Sequence, residues 1–392
     1  MSVNAVAGRA PLEENPALPH ICFVAPDIYP VLVGDTSIPV VGGAEVQQCF
    51  LARGLRQAGY RVSIVTGDFG QPDQCEIDGI RVFKIIRSTL NIPVLRYLHP
   101  RLTSIWQACR RANADIYYQR CASAVTGVTV AYANFARRKA VFAVASDIDL
   151  LPGKANSNAA LRERWLFVYG LRRAAAVVLQ NPLQQQRLLD WTGRQGVQIP
   201  SCYALPAQRS TAPGGYILWV GMMRLAKRPE LVLDLAERLP GLRFRLIGGP
   251  SSSGDADDYF RHIEARARTL PNVEFLGFVP YAQAEQHFDG AALLLNTSVI
   301  EGFPNTFLQA WARAVPSVSF FDCGARDAQG TLGAVVPDVD AMVAQLALLM
   351  GDDAARAALG QRCLDYFQHK HHVSAALSKL QPLLAQLQEA QQ

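Results

Sequence analysis

Residues 296–320 read NTSVIEGFPNTFLQAWARAVPSVSF. The run before them, AALLLNT (291–297), is apolar without a break, as expected of a strand buried on both faces. It delivers the chain to Ser298 and then to Glu301, in a turn that also holds Gly302, Pro304 and Asn305. A helix follows through FLQAWARA (307–314), starting near Asn305 or Thr306, with Asn305 suited to its N-cap. PSVSF (316–320) then reads as the next strand. Strand, polar turn, helix and strand form the repeating unit of a parallel sheet wound with helices. Gln309 stands eight residues after Glu301, just over two helical turns. Both side chains face one side if the turn folds back over the helix start.

The same unit recurs in both directions. On the N-terminal side, HICFVAP (20–26), RVSIVTG (61–67), IRVFKII (80–86), DIYYQR (115–120), AVFAVAS (140–146) and AVVLQN (176–181) are strand-like, and helical patterns separate most of them. One such helix is GGAEVQQCFLARGLRQAGY, where Val46, Phe50, Leu51 and Leu55 recur at helical spacing. Residues 204–215, ALPAQRSTAPGG, have no periodicity and read as a linker. A second series follows: YILWVGM (216–222), FRLIGG (244–249), VEFLGFV (273–279), AALLLNT, PSVSF and GAVVP (333–337), with PELVLDLAERL (229–239) and FLQAWARA among its helices. The fold class is therefore α/β, with two Rossmann-like, doubly wound parallel-sheet domains facing across a cleft. The expected boundaries are a disordered tail over 1–19, an N-terminal domain over 20–203 and a C-terminal domain over 216–367. A last helix in 368–392 packs back on the N-terminal domain.

Composition bounds the function. The 392 residues exceed one ordinary core. Half are hydrophobic and 18% are charged, which argues against disorder. A net charge of +5 suits a small anionic substrate or an acidic surface and is too weak to argue for nucleic acid. The eight cysteines have neither CxxC spacing nor histidines placed to complete a zinc set, and read as apolar fillers in a reducing compartment. The first 19 residues lack the apolar core of a signal peptide, and no run is long enough to span a bilayer, so a cytoplasmic protein is expected. His287, His369, His371 and His372 fall on polar helical stretches and are expected to be solvated.

Several chemistries are disfavoured by absent motifs. APDIYPVLVGDTSIPVVGGAE after the first strand contains no GxGxxG, so a nicotinamide or flavin role is not indicated. P-loop, GxSxG and HExxH patterns are also missing. Polar strand-to-helix junctions remain. In VGGAE (41–45), Gly42 and Gly43 are either a plain helix start or a place where bare N–H groups approach an anion. In VGMMRLAKRPEL (220–231), Arg224 and Lys227 emerge beside a helix that Pro229 opens, a combination suited to a diphosphate. LIGGPSSSGD (246–255), with Gly248 and Gly249, is a crevice loop, and LGFVPYAQ (276–283) offers backbone groups near Phe278 and Val279 to a base edge. Each of the last two also reads as an ordinary turn.

Taken in order, EGFPNTFLQAWA, GGAE, VGMMRLAKRPELVLDLA, LIGG, FLGFV and GTLGAVVPDVDAMVAQLALLM resemble retaining GT-B glycosyltransferases of family 4 type, over roughly residues 20–380. The resemblance implies a nucleotide-diphospho-sugar donor, a UDP- or GDP-sugar, held mainly by the C-terminal domain. It implies that Arg224 and Lys227 neutralise the diphosphate and that Glu301 lies by the transferred sugar. Gly302, Phe303, Asn305 and Thr306 contact the donor, Gln309 holds ribose hydroxyls, and the backbone at Phe278 and Val279 meets the base. Gly42 and Gly43 close the acceptor side. It further implies retention of anomeric configuration, no metal or other cofactor, and a saccharide or lipid-linked acceptor in bacterial polysaccharide or glycolipid synthesis. The alternative is a degenerate scaffold that binds a nucleotide sugar or a partner without turnover. An epimerase or a phosphorylase on the same fold ranks below both.

The chain departs from the family pattern at three places. Gln309 replaces a glutamate, and an amide still donates and accepts but without charge assistance. Met222 or Met223 stands where the family has an arginine, so Arg224 is expected to reach in its place. Ser146 and Asp147 stand where relatives place a histidine, and Asp147 either orients a sugar hydroxyl or caps a turn. Finally, IIRSTLNIPVLRYLHPRLTSIWQACRR (85–111) mixes Arg87, Arg96, Arg101, Arg110 and Arg111 with apolar residues. It either packs on the first domain or makes a peripheral contact with the inner face of a membrane.

Overall fold

The computed structural model describes residues 13–35, 42–85, 102–153, 155, 160–206, 215–250, 256–299, 301 and 303–390. The chain divides into two compact units. One holds the described residues up to Cys202 together with those from Val373 onward, and the other runs from Tyr203 to His372.

The first unit is built on a sheet of β1 (Ile21–Val24), β2 (Val62–Thr66), β3 (Cys75–Ile77), β4 (Ile80–Lys84), β5 (Ile116–Arg120), β6 (Lys139–Ala143), β7 (Ala176–Leu179) and β8 (Val197–Gln198). Their order is β3-β4-β2-β1-β5-β6-β7-β8. All pairs are parallel except the hairpin of β3 and β4, whose turn passes through Asp78 and Gly79, both at positive φ. Neither β3 nor β8 is visible as an apolar run. β1 and β7 are buried at every residue, which is why they read as unbroken apolar stretches; β2 is buried throughout as well and carries Ser63 and Thr66.

The helices of this unit are α1 (Tyr29–Val33), α2 (Gly43–Gln57), α3 (Thr103–Ala112), α4 (Ala124–Phe135), α5 (Leu161–Arg173) and α6 (Pro182–Thr192). α4 and α5 cross so closely that a Cβ on Gly127 would lie 2.2 Å from the Leu166 carbonyl oxygen. Only a glycine fits there.

Residues 13–19 depart from the expected frayed tail. The Asn15 N–H donates to the Gly59 carbonyl at 2.9 Å, so the turn leaving α2 captures this segment; residues 1–12 lie outside the described residues. Of the stretch 85–111, residues 86–101 also lie outside them. Its described end is α3, which buries Ile105, Ala108 and Cys109 in the core and pairs Arg111 with Asp73.

The second unit has β9 (Tyr216–Val220), β10 (Phe244–Ile247), β11 (Val273–Gly277), β12 (Ala291–Asn296), β13 (Ser317–Ser319), β14 (Arg326–Asp327), β15 (Gly330–Thr331) and β16 (Ala334–Val335). The main sheet runs β11-β10-β9-β12-β13-β16, parallel throughout, while β14 and β15 form a separate hairpin. Its helices are α7 (Glu230–Arg238), α8 (Ala256–Ala267), α9 (Tyr281–Asp289), α10 (Asn305–Trp311), α11 (Val339–Gly351) and α12 (Asp353–Lys370). α12 runs three residues beyond the expected boundary at 367. The last helix, α13 (Val373–Glu389), belongs to the first unit, where Val373 and Leu377 press on Gly54 of α2. Of the expected linker, residues 207–214 lie outside the described residues.

Both main sheets reverse direction next to their first strand, β1 beside β5 and β9 beside β12. In open α/β sheets ligands bind outside the carboxyl ends of the strands at such a reversal. Each unit therefore carries one crevice fixed by topology alone.

Candidate active site

The crevice of the second unit lies where β9 and β12 end. β9 leads into a tight loop in which the Gly221 N–H donates to the Ile247 carbonyl at 3.0 Å and the Met223 N–H to the Gly249 carbonyl at 2.9 Å. Met223 is fully buried and Met222 is exposed; a thioether is uncharged, so any cation on this loop comes from Arg224 or Lys227. A short 3-10 turn, Leu225–Lys227, comes before Pro229, which occupies the N-cap of α7. Glu230 stands in the first turn of α7 and offsets the positive end of that helix. Of the combination read from the sequence, the cations Arg224 and Lys227 therefore supply more of the positive charge here than the start of α7.

The loops after β9 and β12 are stapled together. Thr297 Oγ1 accepts from Trp219 Nε1 at 2.9 Å and donates to the Lys227 carbonyl at 2.6 Å. Arg228, at a left-handed φ of 48°, donates its Nε to the Thr297 carbonyl at 2.7 Å and lies over the Phe320 ring. On this frame Lys227 Nζ pairs with Glu301 Oε1. Ser298 Oγ donates to the same carboxylate oxygen at 2.9 Å.

Arg224 is exposed nearby. Burial, joined by the Arg224 charge, brings the Lys227 ammonium down to about 8. Arg224, Lys227 and Glu301 therefore share one place in the fold, although 74 residues separate Lys227 from Glu301.

The other residues expected to bind the donor stand on the loops after β10 and β11 and on or just before α10. Gly248 donates its N–H to the Gly277 carbonyl at 2.8 Å, joining the loops after β10 and β11. Gly249 lies against the Phe278 side chain, which is 38% exposed, and Val279 follows it at the partly exposed end of that loop. Pro304, not Asn305, is the N-cap of α10, because its φ of −65° and ψ of 137° fit the extended cap, and Asn305 becomes the first helical residue. Thr306 is half-buried and Gln309 is 4% exposed on α10. Gly302 lies outside the described residues.

Phe303 is held by aromatic rings. Trp311 meets it edge-on at 5.4 Å between centroids, and His371 stacks on it at 4.2 Å with the planes 30° apart. His371 is buried rather than solvated, and its carbonyl accepts from the Tyr203 N–H at 2.9 Å. His372 is also half-buried, which lowers its ring pKa. His287 shares a hydrogen bond with Arg245 Nη1 at 3.1 Å. Only His369 of the four is exposed, as expected. His371→Ala is expected to raise the donor KM about two- to tenfold by loosening the turn that carries Glu301, whereas His371→Phe keeps the stack and stays near wild type. Steady-state kinetics on both variants, with melting curves, check this.

The crevice of the first unit lies where β1 and β5 end. Gly42 is the N-cap of α2 and Gly43 its first residue. The helix start is not bare: Glu45 turns back so far that a Cβ on Gly42 would meet its Oε2 at 2.0 Å. Burial raises the Glu45 carboxyl, with Asp27 adding to the shift and Arg120 opposing it. Arg120 closes β5, is 7% exposed, and donates Nη2 to Ser201 Oγ at 3.1 Å.

Ser146 caps the 3-10 turn Asp147–Leu150. Asp147 Oδ1 accepts from Gln184 Nε2 at 2.8 Å and Asn181 Nδ2 at 3.2 Å, which ties the turn to α6. The buried carboxylate there is Asp149. It accepts the Ala145 N–H at 2.9 Å and is raised by burial. Thr297, His371, Arg120 and Asp149 are not singled out in the sequence, and Glu45 stands in GGAE without a role of its own; burial and long-range pairing single them out.

The description "Glycosyl transferases group 1" matches residues 214–352, and "Glycosyl transferase 4-like domain" matches residues 42–202. The chain belongs to the glycosyl transferases of group 1. Its fold is that of GT-B glycosyltransferases. Sucrose-phosphate synthase from Thermosynechococcus elongatus superposes with a TM-score of 0.73 at 18% identity, covering 95% of this chain and 100% of that one. HepE from Anabaena, solved with UDP and glucose, gives 0.71 at 16% identity, covering 94% and 99%.

A D-inositol 3-phosphate glycosyltransferase from Mycobacteroides abscessus is 30% identical over 104 residues, 26% of this chain. That match spans about a quarter of the curated relative's length, 24%. The match over 214–352 takes in every strand of the second unit, and the match over 42–202 takes in every strand of the first unit except β1. Groups of three or more His, Cys, Asp or Glu placed to hold a metal are not found among the described residues. No helix among them is long and apolar enough to cross a membrane. The described cysteines are free, and five of them, Cys22, Cys49, Cys109, Cys202 and Cys363, are buried; Cys121 is exposed.

Proposed function

We propose that this chain transfers a hexose from a nucleotide-diphospho-sugar to an acceptor hydroxyl with retention of configuration. The observation that carries the reading is the Lys227–Glu301 pair beside Arg224, at the sheet reversal of the second unit. The leaving nucleotide diphosphate carries concentrated negative charge, and the Lys227 and Arg224 cations stabilise it as the glycosidic bond breaks. In this reading they take the part a metal plays elsewhere.

Glu301, held by Ser298, stabilises the oxocarbenium character of the sugar. The loop at Phe278 and Val279 meets the base, and Gly249 lets the diphosphate approach the backbone. Gln309, buried on α10, binds the ribose. Attack by the acceptor on the face the leaving group vacates accounts for retention without a carboxylate nucleophile. The acceptor, a saccharide or a lipid-linked sugar, is assigned to the first unit. There Glu45 and Asp149 offer oxygens to hydroxyl groups, and Asp147 is the sequence-derived candidate for orienting one of them. In this reading the protein works in the cytoplasm, in polysaccharide or glycolipid synthesis.

HepE was solved with UDP and glucose, which makes UDP-glucose the first donor to try. A thermal-shift screen of UDP- and GDP-sugars is expected to give a stabilising donor. The same donor should release nucleotide diphosphate slowly without acceptor, and the α anomer of a donor with an α linkage should give an α product. Stabilisation with no release under any condition would favour the binding scaffold instead. An inverted product would overturn retention.

A further inference from the structure

α5 presents a face that the site does not use. It buries Phe167, Gly170 and Leu171 in the core of the first unit, Gly170 against Thr126 and Gly127 of α4, yet Leu161 is 76% exposed and Trp165 80% exposed. Tyr169 lies a turn further on, also exposed. These residues recur every four positions and so form one stripe. Arg164, Arg172 and Arg173 line the same shallow groove, and no acidic residue does. Glu163, two residues before Trp165, sits about half a turn round the helix.

A tryptophan exposed to this degree is unusual on a finished surface. The composition of the stripe says what covers it. Aromatic rings with polar edges and long arginines around an aliphatic residue suit the boundary between headgroups and acyl chains. There the apolar part inserts and the guanidinium groups reach anionic lipid. A protein partner of matching shape would need its own row of carboxylates.

We propose that α5 docks the first unit on an anionic bilayer surface, with Trp165 and Leu161 inserted at headgroup level and Arg164, Arg172 and Arg173 on the phosphates. The proposal is independent of the donor chemistry. It differs from the contact expected from residues 85–111, since it uses another helix.

The test is cosedimentation of the full chain with phosphatidylcholine vesicles, with and without phosphatidylglycerol, and quenching of tryptophan fluorescence by brominated lipid. Binding is expected only with phosphatidylglycerol, and it should fall in about 1 M salt, where charges are screened beyond about 3 Å. Trp165→Ser should abolish the quenching. Arg172→Glu with Arg173→Glu should weaken binding by about fivefold or more per arginine. Both variants should retain the melting temperature and the donor turnover of the parent, because these side chains are at the surface. Absence of binding to anionic vesicles overturns the proposal, as does equal binding by the parent and both variants. Self-association of the parent that Trp165→Ser abolishes, without vesicle binding, would assign the face to a second copy instead.

Discussion

Glu301→Gln is expected to cut sugar transfer by about a hundredfold to a thousandfold while leaving donor affinity within about threefold. The amide keeps the shape of the side chain and can still accept from Ser298, so the change isolates the charge. A charge that matters only as the sugar becomes cationic acts on kcat and not on binding. Lys227→Met is expected to do the reverse in part. It removes a cation from a diphosphate that is charged in both ground and transition states, so KM rises as kcat falls.

The pH profile gives an independent reading of the same pair. Burial and Arg224 hold the Lys227 ammonium near 8, below an ordinary lysine. The group is charged below that pH and loses its proton as pH rises through it. Donor kcat/KM should therefore decline on the alkaline side, from about pH 8 upward because the paired Glu301 carboxylate opposes the lowering, and Lys227→Arg should move that decline further up. A Glu301→Gln enzyme keeping more than about a third of the parent rate would remove Glu301 from the chemistry.

Much of this site was legible because the sheet topology and the turn chemistry are local. β12 is an unbroken buried run, and the turn after it concentrates Ser298, Glu301 and Pro304, so both the strand and its polar exit can be read from the sequence. Arg224 and Lys227 are visible for the same reason.

What could not be read depends on contacts far apart in the chain. His371 stands in a polar run at the end of α12, and nothing nearby in sequence says that Phe303 will cover it. Asp147 and Asp149 share one 3-10 turn, where a two-residue step exchanges a side chain bound to α6 for one buried under backbone N–H groups. No periodic pattern separates the two. Arg228 looks like one more solvated cation beside Lys227. Its left-handed backbone turns it onto Thr297 and Phe320, making it a brace for the loop.

Gly248→Ala should be the most damaging single methyl group in the second unit. A Cβ there would lie 1.8 Å from the Gly221 carbonyl oxygen and 3.0 Å from its carbonyl carbon. Both are backbone atoms, which cannot rotate away as a side chain would. The loops after β9 and β10 must separate, which endangers the bonds from Met223 N–H to Gly249 and from Gly248 N–H to Gly277. Overpacking of this kind costs about 1–3 kcal/mol, and each lost hydrogen bond about 1 kcal/mol more. A total of about 3 kcal/mol corresponds to a fall in melting temperature of roughly 6–12 °C for a unit of this size.

Because the displaced loop carries Arg224 and Lys227, donor stabilisation in a thermal-shift assay should fall with it. Gly249→Ala is the control. Its nearest contacts are Phe278 Cβ at 3.1 Å and Cδ2 at 3.3 Å, so the ring can turn and the exposed Phe278 need shift by only a few tenths of an ångström, and the loss should stay under about 1 kcal/mol. Equal melting temperatures for the two variants would mean that the two loops are not packed backbone to backbone. The proposed diphosphate site would then lack the rigid floor argued to keep its cations in register with Glu301.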